Sequence, residues 1–224
     1  MTSARFCTFS EPLPYPEAVS LQKRLVDARI TDGIPDTFLL LQHPPVITLG
    51  RRARTDFLLA DDETLAKSGI TKQFSSRGGD VTYHAPGQWV LYPILKLSQN
   101  EMGAHGYLHA LEDVALNTAS HFGIQAYRKD GKAGAWCDQG KFAAIGFKFT
   151  RWVTSHGMSL NVKPNMNGFE LIVGCGLVGE RVTSFQGVLG VETCPSMDAV
   201  AEVVAEVVNE VFQRETELIE PEDL

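Results

Sequence analysis

The hydrophobic and polar positions of this chain change rhythm several times, and each rhythm predicts an element. Tyr15 to Ala28 reads as a helix, with Pro16 in its first turn and Ala18, Leu21, Leu25 and Ala28 on one face. Thr37 to Gln42 and Val46 to Leu49 are apolar runs on either side of His43-Pro44-Pro45, and they predict two buried strands flanking a rigid corner. Asp61 to Ser68 predicts a short helix stopped by Gly69. Val81 to His84 and Trp89 to Leu97 predict strands split by Pro86-Gly87. Ala104 to Phe122 carries Leu108, Leu111, Ala115, Thr118 and Phe122 on one helical face and ends at Gly123. Lys141 to Thr150 and Ser155 to Val162 predict a long strand pair, with alternation placing Lys141, Ala143, Ile145 and Phe147 on one side of the first strand. Met197 to Phe212 repeats valine at 200, 204, 208 and 211 behind Ser196, a good N-cap, so periodicity opposes the poor helix propensity of valine. Strands and helices mix without βαβ regularity. The expectation is an α+β fold, a mixed and largely antiparallel sheet flanked by helices.

Composition narrows this to a single domain over residues 1–224. With 44% apolar residues the chain can bury a core without disulfides. The formal charge of −7 is uneven, because residues 196–224 hold nine acidic residues and one arginine. That balance argues against a general nucleic-acid binder. Two local basic groups stand out, Arg51-Arg52-Arg54 and Arg128-Lys129-Lys132. Each reads either as a solvated loop face or as a receiver of an acidic protein partner. Cys7, Cys137, Cys175 and Cys194 show no zinc-ligand spacing, and no metal site is expected. Residues 1–16 lack a basic flank followed by an apolar core, and no apolar run reaches the ~20 residues of a membrane span. The expected setting is cytoplasmic, or the mitochondrial matrix if a presequence has been removed, with free thiols and no membrane contact.

Two positions bring in chemistry. Cys175 lies between Gly174 and Gly176, whose freedom leaves the amides of Cys175 and Gly176 approachable as oxyanion donors. Read on residue type alone, such a cysteine is more often a small buried hydrophobe than a nucleophile. Lys141 opens Phe142-Ala143-Ala144-Ile145-Gly146, a setting in which an ammonium is poorly hydrated; otherwise it is a strand-end lysine reaching solvent. In water a lysine amine outcompetes a thiolate for a proton by roughly 2 pKa units, so the pair reads as nucleophile and base. Arg77 to Gln88 is glycine-rich but lacks the spacing of a nucleotide-phosphate loop. Arg77 either anchors loop carbonyls or meets the substrate. His84 either orients this loop or touches the substrate, and His156 is either a supporting group or a proton carrier.

The order of these segments resembles the octanoyltransferases of lipoate biosynthesis. The run Leu39-Leu40-Leu41-Gln42-His43-Pro44-Pro45-Val46-Ile47-Thr48-Leu49-Gly50-Arg51 is similar to that family's His-Pro-Pro-Val-Tyr-Thr-Leu-Gly segment. Arg77-Gly78-Gly79-Asp80-Val81-Thr82-Tyr83-His84 resembles its central signature. Lys141, the Arg151-Trp152-Val153-Thr154 turn, His156-Gly157 and Cys175-Gly176 follow in order. The resemblance implies a biotin/lipoate-protein ligase-like fold and transfer of an octanoyl group from octanoyl-acyl carrier protein. The acceptor it implies is a lysine on the lipoyl domain of a 2-oxoacid dehydrogenase or the glycine-cleavage H protein. It also implies Cys175 as acyl-thioester nucleophile, Lys141 as the group that activates it, and no cofactor. Arg77, Gly78, Gly79, Asp80, Val81, Thr82, Tyr83 and His84, with Ala144, Ile145, Gly146, Gly157, Met158 and Ser159, are implied to contact the substrate. Two departures stand out: Gly174 replaces the usual proline, and Ala85 replaces a glycine of Tyr-His-Gly-Pro-Gly-Gln. The alternatives are an ATP-dependent lipoate- or biotin-protein ligase, a non-catalytic module that binds the acyl carrier or lipoyl domain, and a thiol hydrolase.

Overall fold

The computed structural model describes residues 2–97, 102–176 and 178–224. Strand β1 (Thr2–Thr8) leads into helix α1 (Tyr15–Ile30), β2 (Asp36–Leu41) and β3 (Val46–Leu49). Then come α2 (Asp62–Lys67), β4 (Thr71–Phe74), β5 (Val81–His84), β6 (Gln88–Ile94) and α3 (Ala104–His121). The chain continues through β7 (Tyr127–Lys129), β8 (Lys132–Cys137), β9 (Gly140–Thr150) and β10 (Val153–Asn161), then α4 (Phe185–Leu189), α5 (Met197–Phe212) and β11 (Arg214–Ile219).

Eight strands form one sheet in the order β11-β1-β2-β6-β10-β9-β8-β7, and β4-β3-β5 form a second. Among the described residues, only β11-β1-β2 pair in parallel within the large sheet, so it is mixed and largely antiparallel, as the pattern predicts. The two apolar runs around His43-Pro44-Pro45 end in different sheets. The proline corner, which disfavours continuing in one direction, carries the chain from β2 of the large sheet to β3 of the small one. Pro86-Gly87 does the same between β5 and β6. Gly87 takes φ +89, and a Cβ there would stand 2.5 Å from the Lys163 carbonyl oxygen.

Helices α3 and α5 pack on one face of the large sheet and share a core with Phe38, Leu91, Phe142, Ala143 and Leu160. On α5 the valine stripe prevails over propensity: Val200, Val204 and Val208 are fully buried, each contributing about 1.5–3 kcal/mol. The Ser196 hydroxyl accepts from the Ala199 N–H at 3.1 Å and caps the helix. Helix α1 covers the opposite face through Ala18, Leu25 and Val26. The small sheet has its own core of Ile47, Leu49, Val81 and Tyr83 with Leu65 of α2.

Simple alternation fails in β9. Ala135 pairs with Ala143, but Trp136 pairs with Lys141, so Phe142 is an extra residue in the register. Phe142 and Ala143 consequently both enter the helix-side core, which is how a bulge sets two residues against one. Lys141 is therefore not on the common face with Ala143, Ile145 and Phe147 that alternation predicts.

Candidate active site

A cavity of about 400 Å³ lies where β5 and the Arg77–Asp80 loop of the small sheet meet β6, β9 and β10. Five of its lining residues, Gly78, Gly79, Gly131, Gly146 and Gly157, have no side chain to fill it. The loop is fixed by hydrogen bonds rather than by bulk. Gly78 N–H donates to the Phe147 carbonyl at 2.9 Å, and Arg77 is buried with its guanidinium against Thr48 of β3. Its Nη2 donates to the Thr48 carbonyl at 2.7 Å, its Nε to Thr48 Oγ1 at 3.2 Å and its Nη1 to the Gly78 carbonyl at 3.0 Å. Arg77 thus anchors the loop to β3. Asp80 Oδ1 accepts from the N–H groups of Val81 (2.9 Å) and Arg54 (3.2 Å) and clips the next loop in place.

Of the sequence-derived contact residues, Arg77, Gly78, Gly79, Asp80, Thr82, His84, Ala144, Ile145, Gly146, Gly157, Met158 and Ser159 all line this cavity. Val81 and Tyr83 are not among the lining residues. Successive strand residues point to opposite faces, so Thr82 and His84 face the cavity while Val81 and Tyr83 enter the small-sheet core. The Tyr83 ring stands where a Cβ on Gly168 would be, 2.2 Å from its Cζ.

Lys141 is 5% exposed and lines the same cavity. Its backbone is held on both sides: its N–H donates to the Arg181 carbonyl at 2.8 Å, and its carbonyl accepts from Thr183 N–H at 2.9 Å. Its Nζ sits 5.6 Å from the centroid of the Trp136 ring. Gly134 makes this placement possible. At φ +118, a Cβ on Gly134 would lie 2.5 Å from Lys141 Cε and 2.3 Å from the Ala143 carbonyl oxygen. The Gly134 N–H in turn donates to Oε1 of buried Glu112 on α3 at 3.0 Å, and Glu112 Oε2 takes Arg128 Nε at 2.9 Å.

Residues Gly174–Gly176 form a short 3₁₀ turn. Gly174 and Lys141 line one small void of about 20 Å³, which shares Thr82, Ala144 and Ser159 with the large cavity. The side chain of Cys175, the residue between those glycines, lies outside the described atoms. One expectation needs correcting. The Gly176 N–H closes the turn onto the Val173 carbonyl at 3.0 Å, so it is spent on the backbone rather than presented to an oxyanion.

A family model described as the lipoyl protein ligase A/B catalytic domain matches residues 14–209. The octanoyltransferase of Chloroflexus aurantiacus is 43% identical over 206 residues, covering 91% of this chain and 92% of that protein. The octanoyltransferase of Acidobacterium capsulatum is 39% identical over 224 residues, covering 94% and 91%. The chain belongs to the octanoyltransferase family. It is accordingly an acyltransferase. Among solved structures, the bi-partite lipoate protein ligase of Thermoplasma acidophilum superimposes with a TM-score of 0.77 at 13% identity, covering 98% of this chain and 88% of that one. A lipoate-protein ligase A bound with ATP gives 0.76 at 13%, covering 98% and 89%. At that identity they show the shared fold.

Within this octanoyltransferase-family fold the two departures are accommodated. Ala85 is buried in the small-sheet core and is not among the residues with positive φ, so smallness is what its position uses. At Gly174 a Cβ would meet only Val182 Cγ2 at 3.7 Å.

The inner wall carries a polar network that the sequence did not announce. Gln88 Nε2 donates to the Tyr83 carbonyl and to Asn161 Oδ1, so its Oε1 accepts from His84 Nδ1 at 2.6 Å. Asn161 Nδ2 then donates to the carbonyl of Thr183, whose N–H holds Lys141. His43 Nδ1 donates to the Leu13 carbonyl at 2.6 Å and its Nε2 accepts from the Tyr92 hydroxyl at 2.8 Å. Burial holds His43 and His156 down to about 4, and His84 well below the ordinary histidine value. His156 adopts φ +56, rare for a residue with a side chain. Its N–H donates to Gln22 Oε1 at 2.7 Å, and Ser76 Oγ lies 3.1 Å from its Nε2. No described cluster of His, Cys, Asp and Glu has the arrangement to hold a metal. No described helix is long and apolar enough to cross a membrane.

Proposed function

We propose that this acyltransferase moves an octanoyl group from the thioester of an acyl carrier protein to a lysine of a lipoyl domain, through a thioester on Cys175. The observation that supports the reading is that buried Lys141 and Gly174, the residue before Cys175, line one void that shares part of its lining with the main cavity. Lys141 takes the thiol proton of Cys175, and the thiolate attacks the donor carbonyl. The donor's carbon–sulfur bond breaks, and the departing thiolate recovers the proton from Lys141. The acceptor amine then attacks the acyl-enzyme, gives its proton to Lys141, and expels the Cys175 thiolate, which is reprotonated in turn. Thioester to amide runs downhill, so the cycle needs no nucleotide. A covalent intermediate implies ping-pong kinetics. The glycine-lined walls beside Ala144, Ile145 and Met158 leave room for an acyl chain, each buried methylene contributing about 0.8 kcal/mol.

The test is intact mass spectrometry after mixing with octanoyl-carrier protein in the absence of ATP. The expected result is one octanoyl adduct that is lost in Cys175→Ala, and a much slower gain of that adduct in Lys141→Ala. Full turnover by Cys175→Ala would end the mechanism. Acylation of Lys141→Ala at the parental rate from pH 6 to 8 would remove the lysine from its role. A strict requirement for ATP and free octanoate would favour a ligase instead.

A further inference from the structure

The cavity rim is unevenly charged. Residues 50–54 leave the end of β3 and are laced to the central loop: Arg51 N–H donates to the Arg77 carbonyl at 3.0 Å and Arg52 N–H to the Gly79 carbonyl at 3.1 Å. Arg51 and Arg52 are exposed, and Arg52 lines the cavity. Arg54 is already occupied, by Asp56 at 3.0 Å and by the Phe57 ring 4.9 Å from its guanidinium carbon. On the other rim Lys132 is bound to Glu180, which also takes Lys129 at 2.8 Å. Neither Arg51 nor Arg52 has a carboxylate partner among the described residues. Beside them β4 ends on Phe74, paired with Leu49 of β3 and 85% exposed. A large aromatic side chain and free arginines together are what strongly contributing interface positions are made of.

Resting on the transfer just described, we propose that Arg51, Arg52 and Phe74 form the docking face of the acyl donor. Arg52 receives the phosphodiester of its phosphopantetheine arm, and Arg51 and Phe74 meet the acidic carrier. Charge decides between the two macromolecular substrates. The donor brings an anionic phosphate and an acidic surface to the cavity mouth, and arginine is suited to grip phosphate through several N–H donors. The acceptor brings a lysine, which is cationic until it loses its proton, and an arginine rim opposes its approach. A positive spot at the mouth of a chain with net charge −7 also steers an anionic partner toward that spot.

The experiment compares three donors on the full chain: octanoyl-pantetheine, octanoyl-phosphopantetheine and octanoyl-carrier protein. Adduct formation is followed by mass, and KM for the lipoyl domain is measured separately. Arg52→Ala should cut kcat/KM by about tenfold or more for both phosphate-bearing donors relative to octanoyl-pantetheine. Arg51→Glu and Phe74→Ser should lose rate chiefly on the carrier-borne donor, and KM for the acceptor should stay put. Equal losses on all three donors, no loss on any, or a raised KM for the lipoyl domain would overturn the docking face. If the parent protein is acylated by none of the three, the transfer reading itself fails, and this proposal with it.

Discussion

Adding one methyl group at Gly134 tests whether the Lys141 amine is placed as the chemistry requires. A Cβ there would stand 2.3 Å from the Ala143 carbonyl oxygen and 2.5 Å from Lys141 Cε, at φ +118. The carbonyl belongs to the paired β9 backbone and cannot retreat cheaply, so the lysine side chain has to give way. A backbone conformation unsuited to a side chain costs about 1–3 kcal/mol, and overfilling a packed site costs a similar amount. Gly134→Ala should therefore lose about 2–6 kcal/mol of stability. A shift of the amine on the order of 1 Å should slow acylation by about 100-fold. The assay is quenched-flow mass spectrometry of acyl-enzyme formation beside a thermal melt. Gly103→Ala, which adds the same methyl group into open space, is the control. A folded Gly134→Ala protein that acylates at the parental rate would refute the claim that this contact places Lys141.

Glu112→Gln, which keeps an oxygen for the Gly134 N–H, should acylate nearly normally, whereas Glu112→Ala should be slowed and destabilised by about 2–4 kcal/mol; equal rates in the two variants would show that the bond to Gly134 is irrelevant. Stability should also depend on acidity. His43 and His156 are held to about 4 in the folded protein, below the ordinary unfolded value of about 6.5. The unfolded chain therefore binds more protons between those limits, so the stabilisation is complete above pH 6.5 and is lost as pH falls toward 4, by up to about 3 kcal/mol per histidine. A melting temperature that stays flat from pH 7.5 to 4.5 would contradict this.

Legibility in the sequence followed the strength of the local pattern. Helix α5 and its Ser196 cap were readable because three buried valines repeat on one face. Strands β1 and β11 were not: they close the parallel edge of the sheet, and β11 exposes Glu215, Glu217 and Leu218, which erases any hydrophobic rhythm. The division of Val81 and Tyr83 from Thr82 and His84 was implicit in strand alternation, yet a motif treated as one contact segment conceals it. Gly134 had no local signal, since its need arises from Lys141 across the Phe142 register slip. His156 is similarly opaque, because a histidine at positive φ looks in sequence like any strand residue.

The buried histidines bear on which group serves as base. A side chain that holds its proton only below about pH 4, as His156 does, is a weak acceptor for a thiol that ordinarily gives up its proton near 8.5. The gap is about 4.5 pKa units, or about 6 kcal/mol. Brønsted behaviour makes such a group a slow general base at neutral pH. The same burial that disqualifies His43, His84 and His156 as bases suits them to a different task, that of neutral hydrogen-bonding walls. His84, through Gln88, Asn161 and Thr183, reaches the backbone of Lys141 without a charged group in the path. Neutral imidazoles suit the proton relay proposed for Lys141, in which the lysine takes and returns a proton in both half-reactions. If His156→Asn moved the pH midpoint of acylation, the histidine would have to be given a share of the proton transfer proposed for Lys141.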